Sequence, residues 1–267
     1  MNPPRRAWRP APFLLFSLVL HALLLAAALA WPQHWQVWLS LFLLDHGLIA
    51  LAGLWPRSSL LGPNITRLPA DAAARGEVAI TIDDGPDPDV TPHVLDILAA
   101  HSVRATFFCI GERAAEHPEL VRLMRAGGHA VENHGQRHPL AFSGPAGWRR
   151  EIATAQDTLT AITGVPPRFY RALAGLRNPF LDPVLHAQGL HLASWTRREF
   201  DTRARSADAV FAALTDELLA GDILLLHDGN AGAREGREPL ILEVLPRLLQ
   251  TLKSRGLRPV TLRDVLP

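Results

Sequence analysis

The sequence predicts an α/β fold: parallel strands alternating with helices into a closed or nearly closed barrel, preceded by a pair of membrane-crossing helices. Three observations carry this. From Glu77 onward, short apolar runs rich in β-branched residues alternate with amphipathic helical segments. About seven such strand–helix pairs suit a barrel better than an open sheet. The first 55 residues are far more apolar than the rest.

The amino-terminal part comes first. Pro12 to Ala30 is almost continuously apolar, with His21 its only ionisable group. At ~1.5 Å per residue it spans a bilayer core of about 30 Å. A second apolar run, 37–55, is interrupted by Asp45 and His46. The short link between them is polar and aromatic, and Trp31, Trp35, Trp38 and Trp55 stand where interfacial belts belong. The reading is a transmembrane helical hairpin (12–30 and 37–55) within a membrane unit 1–56. His21 and Asp45 each lie twelve residues from Gln33. In an antiparallel hairpin they reach one depth, so His21 is expected to pair with Asp45 or His46.

Arg5, Arg6 and Arg9 precede the first span, the connecting loop has no Lys or Arg, and Arg57, Arg67 and Arg75 follow the second. The positive-inside rule then places both ends, and the domain beyond, on the cytoplasmic side of the inner (cytoplasmic) membrane. A competing reading takes the first span as a signal peptide cut after Ala28-Leu29-Ala30. The domain would lie outside only if the second run failed to cross. Residues 57–76, with Gly62-Pro63-Asn64 and Pro69, read as a linker too irregular for a helix.

Residues 77–267 read as one catalytic domain. Val78, Ile80 and Ile82 alternate as in a strand that runs into Asp83-Asp84 and the Gly85-Pro86 turn. A helix over 90–100, a strand over 105–110 and a helix over 118–126 closed by Gly127-Gly128 follow. The pattern continues with strands at 129–133, 168–171, 190–195, 222–226 and 258–262. Helices fall at 146–162, at 206–220 with Ser206 as N-cap, and at 239–255. A net charge of +1 gives no reason to expect a nucleic-acid partner. The single cysteine, Cys109, lies in an apolar run and reads as a buried small hydrophobe.

Chemistry gathers at strand ends. Asp83 and Asp84 point to opposite sides, so one can serve a metal and the other a proton. His134 and His138 are four apart, so one helical turn would put both imidazoles on one side. Position 135 is Gly, which rules out the zinc-protease His-Glu-x-x-His pattern. Two His plus Asp84 leave metal positions open for water and substrate. The run Leu224-Leu225-Leu226 delivers His227 to the same mouth, where a near-neutral imidazole suits a general acid. The bland alternative is a loop histidine bonded to Asp228. Phe169-Tyr170-Arg171 ends at a cation, and Trp195 is followed by Asp201.

Thr81-Ile82-Asp83-Asp84-Gly85-Pro86, His134-x-x-x-His138, Arg171 and Leu225-Leu226-His227, in this order, resemble the NodB-type polysaccharide deacetylases, carbohydrate esterase family four. The resemblance implies a distorted (β/α) barrel and a divalent metal, usually Zn2+, held by Asp84, His134 and His138. It implies Asp83 as the base, His227 as the acid that protonates the leaving amine, Arg171 as the residue that holds Asp83, and Leu225 as a wall of the acetyl pocket. The Asp that orients His227 is assigned to Asp201, ahead of Asp157 and Asp182. A backbone N–H near Ala174 adds an oxyanion donor. The family's third motif commonly reads Arg-x-Pro-x-Gly, whereas this chain has Arg171-Ala172-Leu173-Ala174-Gly175.

The function expected is metal-dependent N-deacetylation of an N-acylated amino sugar. A cytoplasm-facing domain on a hairpin cannot reach wall polymers, but it can reach a sugar linked to a polyprenyl phosphate among the membrane lipids. Arg137, Arg197, Arg198 and Arg203 are candidates to meet that phosphate. The alternatives are an outward-facing peptidoglycan or exopolysaccharide deacetylase and an inactive membrane-anchored sugar-binding module. The presence of both a base and an acid argues against the last.

Overall fold

A computed structural model describes residues 7–138, 144–199, 201–202, 206–230 and 239–266. Two helices, α1 (Pro12–Ala30) and α2 (Trp35–Leu54), are joined by a 3-10 turn, Pro32–His34. Then come α3 (Ala70–Ala74), β1 (Glu77–Asp83), α4 (Thr91–Ala100), β2 (Thr106–Cys109), α5 (Gly111–Glu116), α6 (Pro118–Ala126) and β3 (Ala130–Asn133). The chain continues through α7 (Pro145–Thr163), β4 (Phe169–Tyr170), α8 (Leu181–Gln188), β5 (His191–Leu192), β6 (Arg197–Arg198) and α9 (Ala207–Thr215). It closes with β7 (Ile223–His227), α10 (Leu240–Ser254), β8 (Arg258–Val260) and α11 (Leu262–Val265).

All strand pairings are parallel among the described residues, in the order β5-β4-β3-β2-β1-β7-β6, with β8 beside the start of β1. Strand β1 is buried along its whole length, and its period of two sorts its residues. Val78, Ile80 and Ile82 join Leu224 and Leu226 in the layer that packs on α4, α9 and α10. Ala79 joins Phe108, Phe169, Ile223 and Leu225 inside the curl. The same parity sends Thr81 and Asp83 inward, and on β7 it sends Leu225 and His227 inward. Asp83 pairs in register with His227, so alternation and register alone bring these two groups to one mouth.

The sheet is a curled half-barrel. Its two edges, β5 and β6, are separated by only residues 193–196, a connection that spans at most about 18 Å. Ile65 bridges Ala193 and receives the Ser194 N–H, lining the seam. The expected parallel α/β architecture is therefore found, with three corrections. The linker is not wholly irregular, because Ala70–Ala74 is helical. The strand expected over 190–195 is only His191–Leu192 on one edge of the sheet, and a strand that was not expected, Arg197–Arg198, forms the other edge. Helices α5 and α8 were not anticipated.

Both helices of the hairpin are long and apolar enough to cross a membrane. The end where α1 begins and α2 finishes rests on the domain. Trp8 Nε1 donates to Asp182 at 2.7 Å, the Arg177 N–H donates to the Gly53 carbonyl at 3.1 Å, and Ser194 Oγ donates to the Pro56 carbonyl at 2.8 Å. Leu14, Ala52 and Leu61 form a small apolar cluster at this junction. Halfway along the helices, His21 Nδ1 lies 3.7 Å from Asp45, and Ser17 Oγ donates to the same carboxylate.

Candidate active site

Asp83 ends β1 with its carboxylate inside the curl, where Arg171 meets it. The Arg171 guanidinium is fully buried. Nη1 donates to Asp83 Oδ1 at 2.8 Å and to Thr81 Oγ1 at 2.7 Å, Nη2 to the Ser194 carbonyl at 2.8 Å, and Nε to the Ala193 carbonyl at 3.0 Å. Its Cζ lies over the Phe108 ring, 4.0 Å from the ring centre. Arg171 thus ties the end of β4 to β1 and to the seam, and its planar fork suits a carboxylate partner. Burial pulls its pKa below the ordinary arginine value, and the charge of Asp83 opposes that pull.

Asp84 turns back on itself with φ +76°, a conformation rare for a residue with a side chain. Its peptide carbonyl accepts from Arg113 at 2.9 Å and its Oδ2 from Asn230 at 3.2 Å. Oδ1 is buried without a hydrogen-bond partner. It faces His134 Nε2 at 3.1 Å and His138 Nε2 at 3.2 Å. His134 Nδ1 donates to the Arg171 carbonyl at 2.8 Å, which leaves the Nε2 lone pair aimed at Asp84. Burial and then the charge of His134 push the His138 pKa down to about 4, so this imidazole is neutral near pH 7. Burial works to raise the Asp84 pKa. The neighbouring His134 and His138 outweigh it and hold the carboxyl well below its usual range.

Two nitrogen lone pairs converging on an orphaned, ionised carboxylate oxygen are the donor set a divalent cation takes. Residues 134–138 are not helical, contrary to expectation. His138 reaches the site through a loop in which its own φ is +60°. Asn133 helps set that loop, because its Oδ1 accepts the Gly135 N–H at 2.8 Å.

His227 Nδ1 donates to Asp201 Oδ1 at 2.6 Å, and the His227 N–H donates to Asp201 Oδ2 at 2.8 Å. Asp201 is thus the carboxylate that meets this histidine, whereas Asp182 accepts from Trp8. Burial lowers the His227 pKa, but the bond and charge of Asp201, with the charges of Asp83 and Asp84, carry it above the ordinary value. Asp228 does not bond His227. It is buried beside Thr91, whose hydroxyl donates to it at 2.6 Å, and burial lifts its pKa to about 7.

These groups line a cavity of about 430 Å³, together with Leu225, Ala174, Trp195 and Arg198. All nine residues singled out from the sequence for this site line the cavity or, for Arg171 and Asp201, bond directly to residues that do. Asn230 and Arg113, which clamp Asp84, carry no sequence signal of their own. Arg197 is not available to a substrate phosphate, because it pairs with Asp222 at the far end of β7 at 2.7 Å. Arg137 pairs with Glu112 at 2.7 Å. Arg203 lies outside the described residues.

The polysaccharide deacetylase family model matches residues 70–193. The chain is 32% identical over 191 residues to a peptidoglycan-N-acetylglucosamine deacetylase of Bacillus cereus, a match covering 70% of this chain and 67% of that one. It is 36% identical over 195 residues to a chitooligosaccharide deacetylase of a Bradyrhizobium species, covering 70% and 89%. Among solved structures, a peptidoglycan N-acetylglucosamine deacetylase bound to a hydroxamate-type benzamide superposes with a TM-score of 0.68 at 30% identity, covering 76% of this chain and 92% of that chain. A family 4 acetyl xylan esterase from Clostridium thermocellum, in complex with cobalt, gives 0.62 at 30% identity, covering 71% and 89%. A curled parallel half-barrel, a buried Asp-His-His cluster beside a second carboxylate, and relatives of this identity converge on one assignment: the chain belongs to the polysaccharide deacetylases of carbohydrate esterase family four, hydrolases of the N-acetyl amide bonds of carbohydrates.

Proposed function

We propose that this protein is a metal-dependent N-deacetylase of an N-acylated amino sugar carried on a polyprenyl phosphate. In this reading residues 1–56 anchor it in the inner membrane, 57–76 link, and 77–267 catalyse from the cytoplasmic side. The observation that carries the chemistry is the orphaned Asp84 Oδ1 between two imidazole nitrogens. Asp84, His134 and His138 would hold the cation, to which we assign Zn2+. A bound divalent cation would lower the pKa of water and polarise the amide carbonyl.

The chain's own groups then divide the work. Asp83, oriented by Arg171, takes the proton of the attacking water. The water oxygen bonds to the carbonyl carbon, and the backbone N–H of Ala174 donates to the developing oxyanion. His227, held by Asp201, protonates the nitrogen as the C–N bond breaks, releasing the free amine and the carboxylate. Leu225 walls the space for the acyl methyl.

The lipid-linked substrate is supported by the contact between the end of α2 and the loop after β4, beside the cavity mouth. The peptidoglycan deacetylase among the relatives favours a second reading, an outward-facing wall deacetylase. Asp83→Asn should abolish activity and retain the metal, whereas Asp84→Asn should lose both, as read by elemental analysis of purified protein. Cells carrying Asp83→Asn should accumulate an acylated polyprenyl-linked sugar by mass spectrometry. An unchanged lipid pool alongside an acetylated wall would favour the second reading.

A further inference from the structure

A second cavity, of about 630 Å³, opens next to the catalytic one. One side is the last turn of α2 and its exit, with Leu51, Leu54, Trp55 and Arg57. The other side includes Ala174, Trp195 and Arg198, which also line the catalytic cavity. The two spaces therefore adjoin at these three residues, and their lining differs in character. Leu51 and Leu54 are 63% and 54% exposed at the end of an apolar helix. Arg57 and Arg198 come next, and the carboxylates and imidazoles last.

We infer that this groove is the lipid subsite of the enzyme: the first units of the hydrophobic chain lie on Leu51 and Leu54, the phosphate meets Arg57 and Arg198, and the sugar enters the catalytic cavity. The inference rests on the lipid-linked reading above and adds where the lipid is held. The sequence apolar wall, cation, amide-hydrolysing site reproduces the order of a prenyl chain, a phosphate and an N-acyl sugar. A polar polymer would leave Leu51 and Leu54 without a partner. Guanidinium groups are suited to phosphate, and Trp55 stands at the boundary where amphipathic rings favour the headgroup level. The groove is also fixed in place. A Cβ on Gly53 would overlap the Arg177 carbonyl, and one on Gly175 would overlap Pro56. The helix end and the loop after β4 thus meet at backbone distance.

The test uses the full chain in detergent micelles with two substrates: polyprenyl-phosphate-linked N-acetylglucosamine and water-soluble triacetylchitotriose. Wild type should favour the lipid-linked substrate in kcat/KM by about tenfold or more. Leu54→Trp, which fills the groove, and Arg57→Ala should each raise KM for the lipid-linked substrate by about tenfold, with kcat and the rate on the trimer unchanged. A diazirine-bearing farnesyl phosphate should crosslink within residues 51–57 of wild type, and Leu54→Trp should abolish the crosslink. No preference in wild type would overturn the lipid-linked reading itself. A preference in wild type that both variants retain would leave that reading standing and overturn the groove. Selective loss on the trimer would make the groove a sugar subsite, and equal loss on both substrates would make it a structural seam. Either result overturns the proposal.

Discussion

At the scale of single residues, the proposed acid is set by one bond. Asp201 holds the Nδ1–H of His227 and stabilises its protonated form, carrying the pKa above the ordinary histidine value against the pull of burial. The acid form is lost as pH rises through that pKa, so activity should fall on the alkaline side. Asp201→Asn removes the charge that raises the pKa. The alkaline limb of the kcat profile should then move to lower pH, with the loss of rate smallest in acid. A uniform loss at every pH would instead mean that Asp201 acts only by holding the fold. The groups proposed as acid, base and cation-binding trio were legible in the sequence because Asp83, Asp84, His134 and His227 end or follow expected strands and His138 stands four residues beyond His134. Arg113 and Asn230 were not legible. They reach Asp84 from 29 and 146 positions away, and only the folded chain makes them neighbours.

At the scale of elements, long periodic segments were readable, whereas the bounds of short ones were not: the strands expected over 168–171 and 190–195 shrink to β4 and β5, and β6 was not expected. Strand β1 alternates over seven residues, so its two faces can be sorted from the sequence. Strands β4, β5 and β6 are two residues each, too short to show a period. They exist because the curl of the sheet brings partners to them. The hairpin end makes a similar point. Nothing in the sequence of α2 distinguishes Gly53 from Gly47, yet Gly53 abuts the Arg177 backbone while Gly47 has open space around it. Gly53→Ala should therefore weaken the junction between α2 and the domain, lowering Tm by the equivalent of about 1–3 kcal/mol. Gly47→Ala should be neutral or stabilising, because alanine favours a helix by about 1 kcal/mol. Equal behaviour of the two variants in a thermal melt would mean that the close approach carries no energy.

At the scale of the whole molecule, the packing bears on the two readings of the amino terminus and yields a prediction that tests them. Charge counting leaves a signal peptide and a retained hairpin both open, since each begins with arginines before an apolar run. The fold adds a constraint that charge counting does not contain. Trp8 bonds Asp182, and Leu14 packs with Ala52 and Leu61, so the start of α1 and the end of α2 seat together on the domain. Cleavage after Ala30 would strip that seat and leave Asp45, buried against Ser17 in mid-helix, without its partner. A carboxylate exposed at that depth is costly. The purified protein should therefore keep its amino terminus, as intact mass will read. Reporter fusions after Trp55 and at the carboxyl terminus should both be silent for alkaline phosphatase and active for a cytoplasmic reporter. A mature chain beginning at Trp31 would reject the retained hairpin, and a phosphatase-active fusion after Trp55 would put the domain outside. If both ends prove to be inside, the proposed groove at the end of α2 would open at the inner leaflet, where a lipid-linked sugar could enter it and a wall polymer could not.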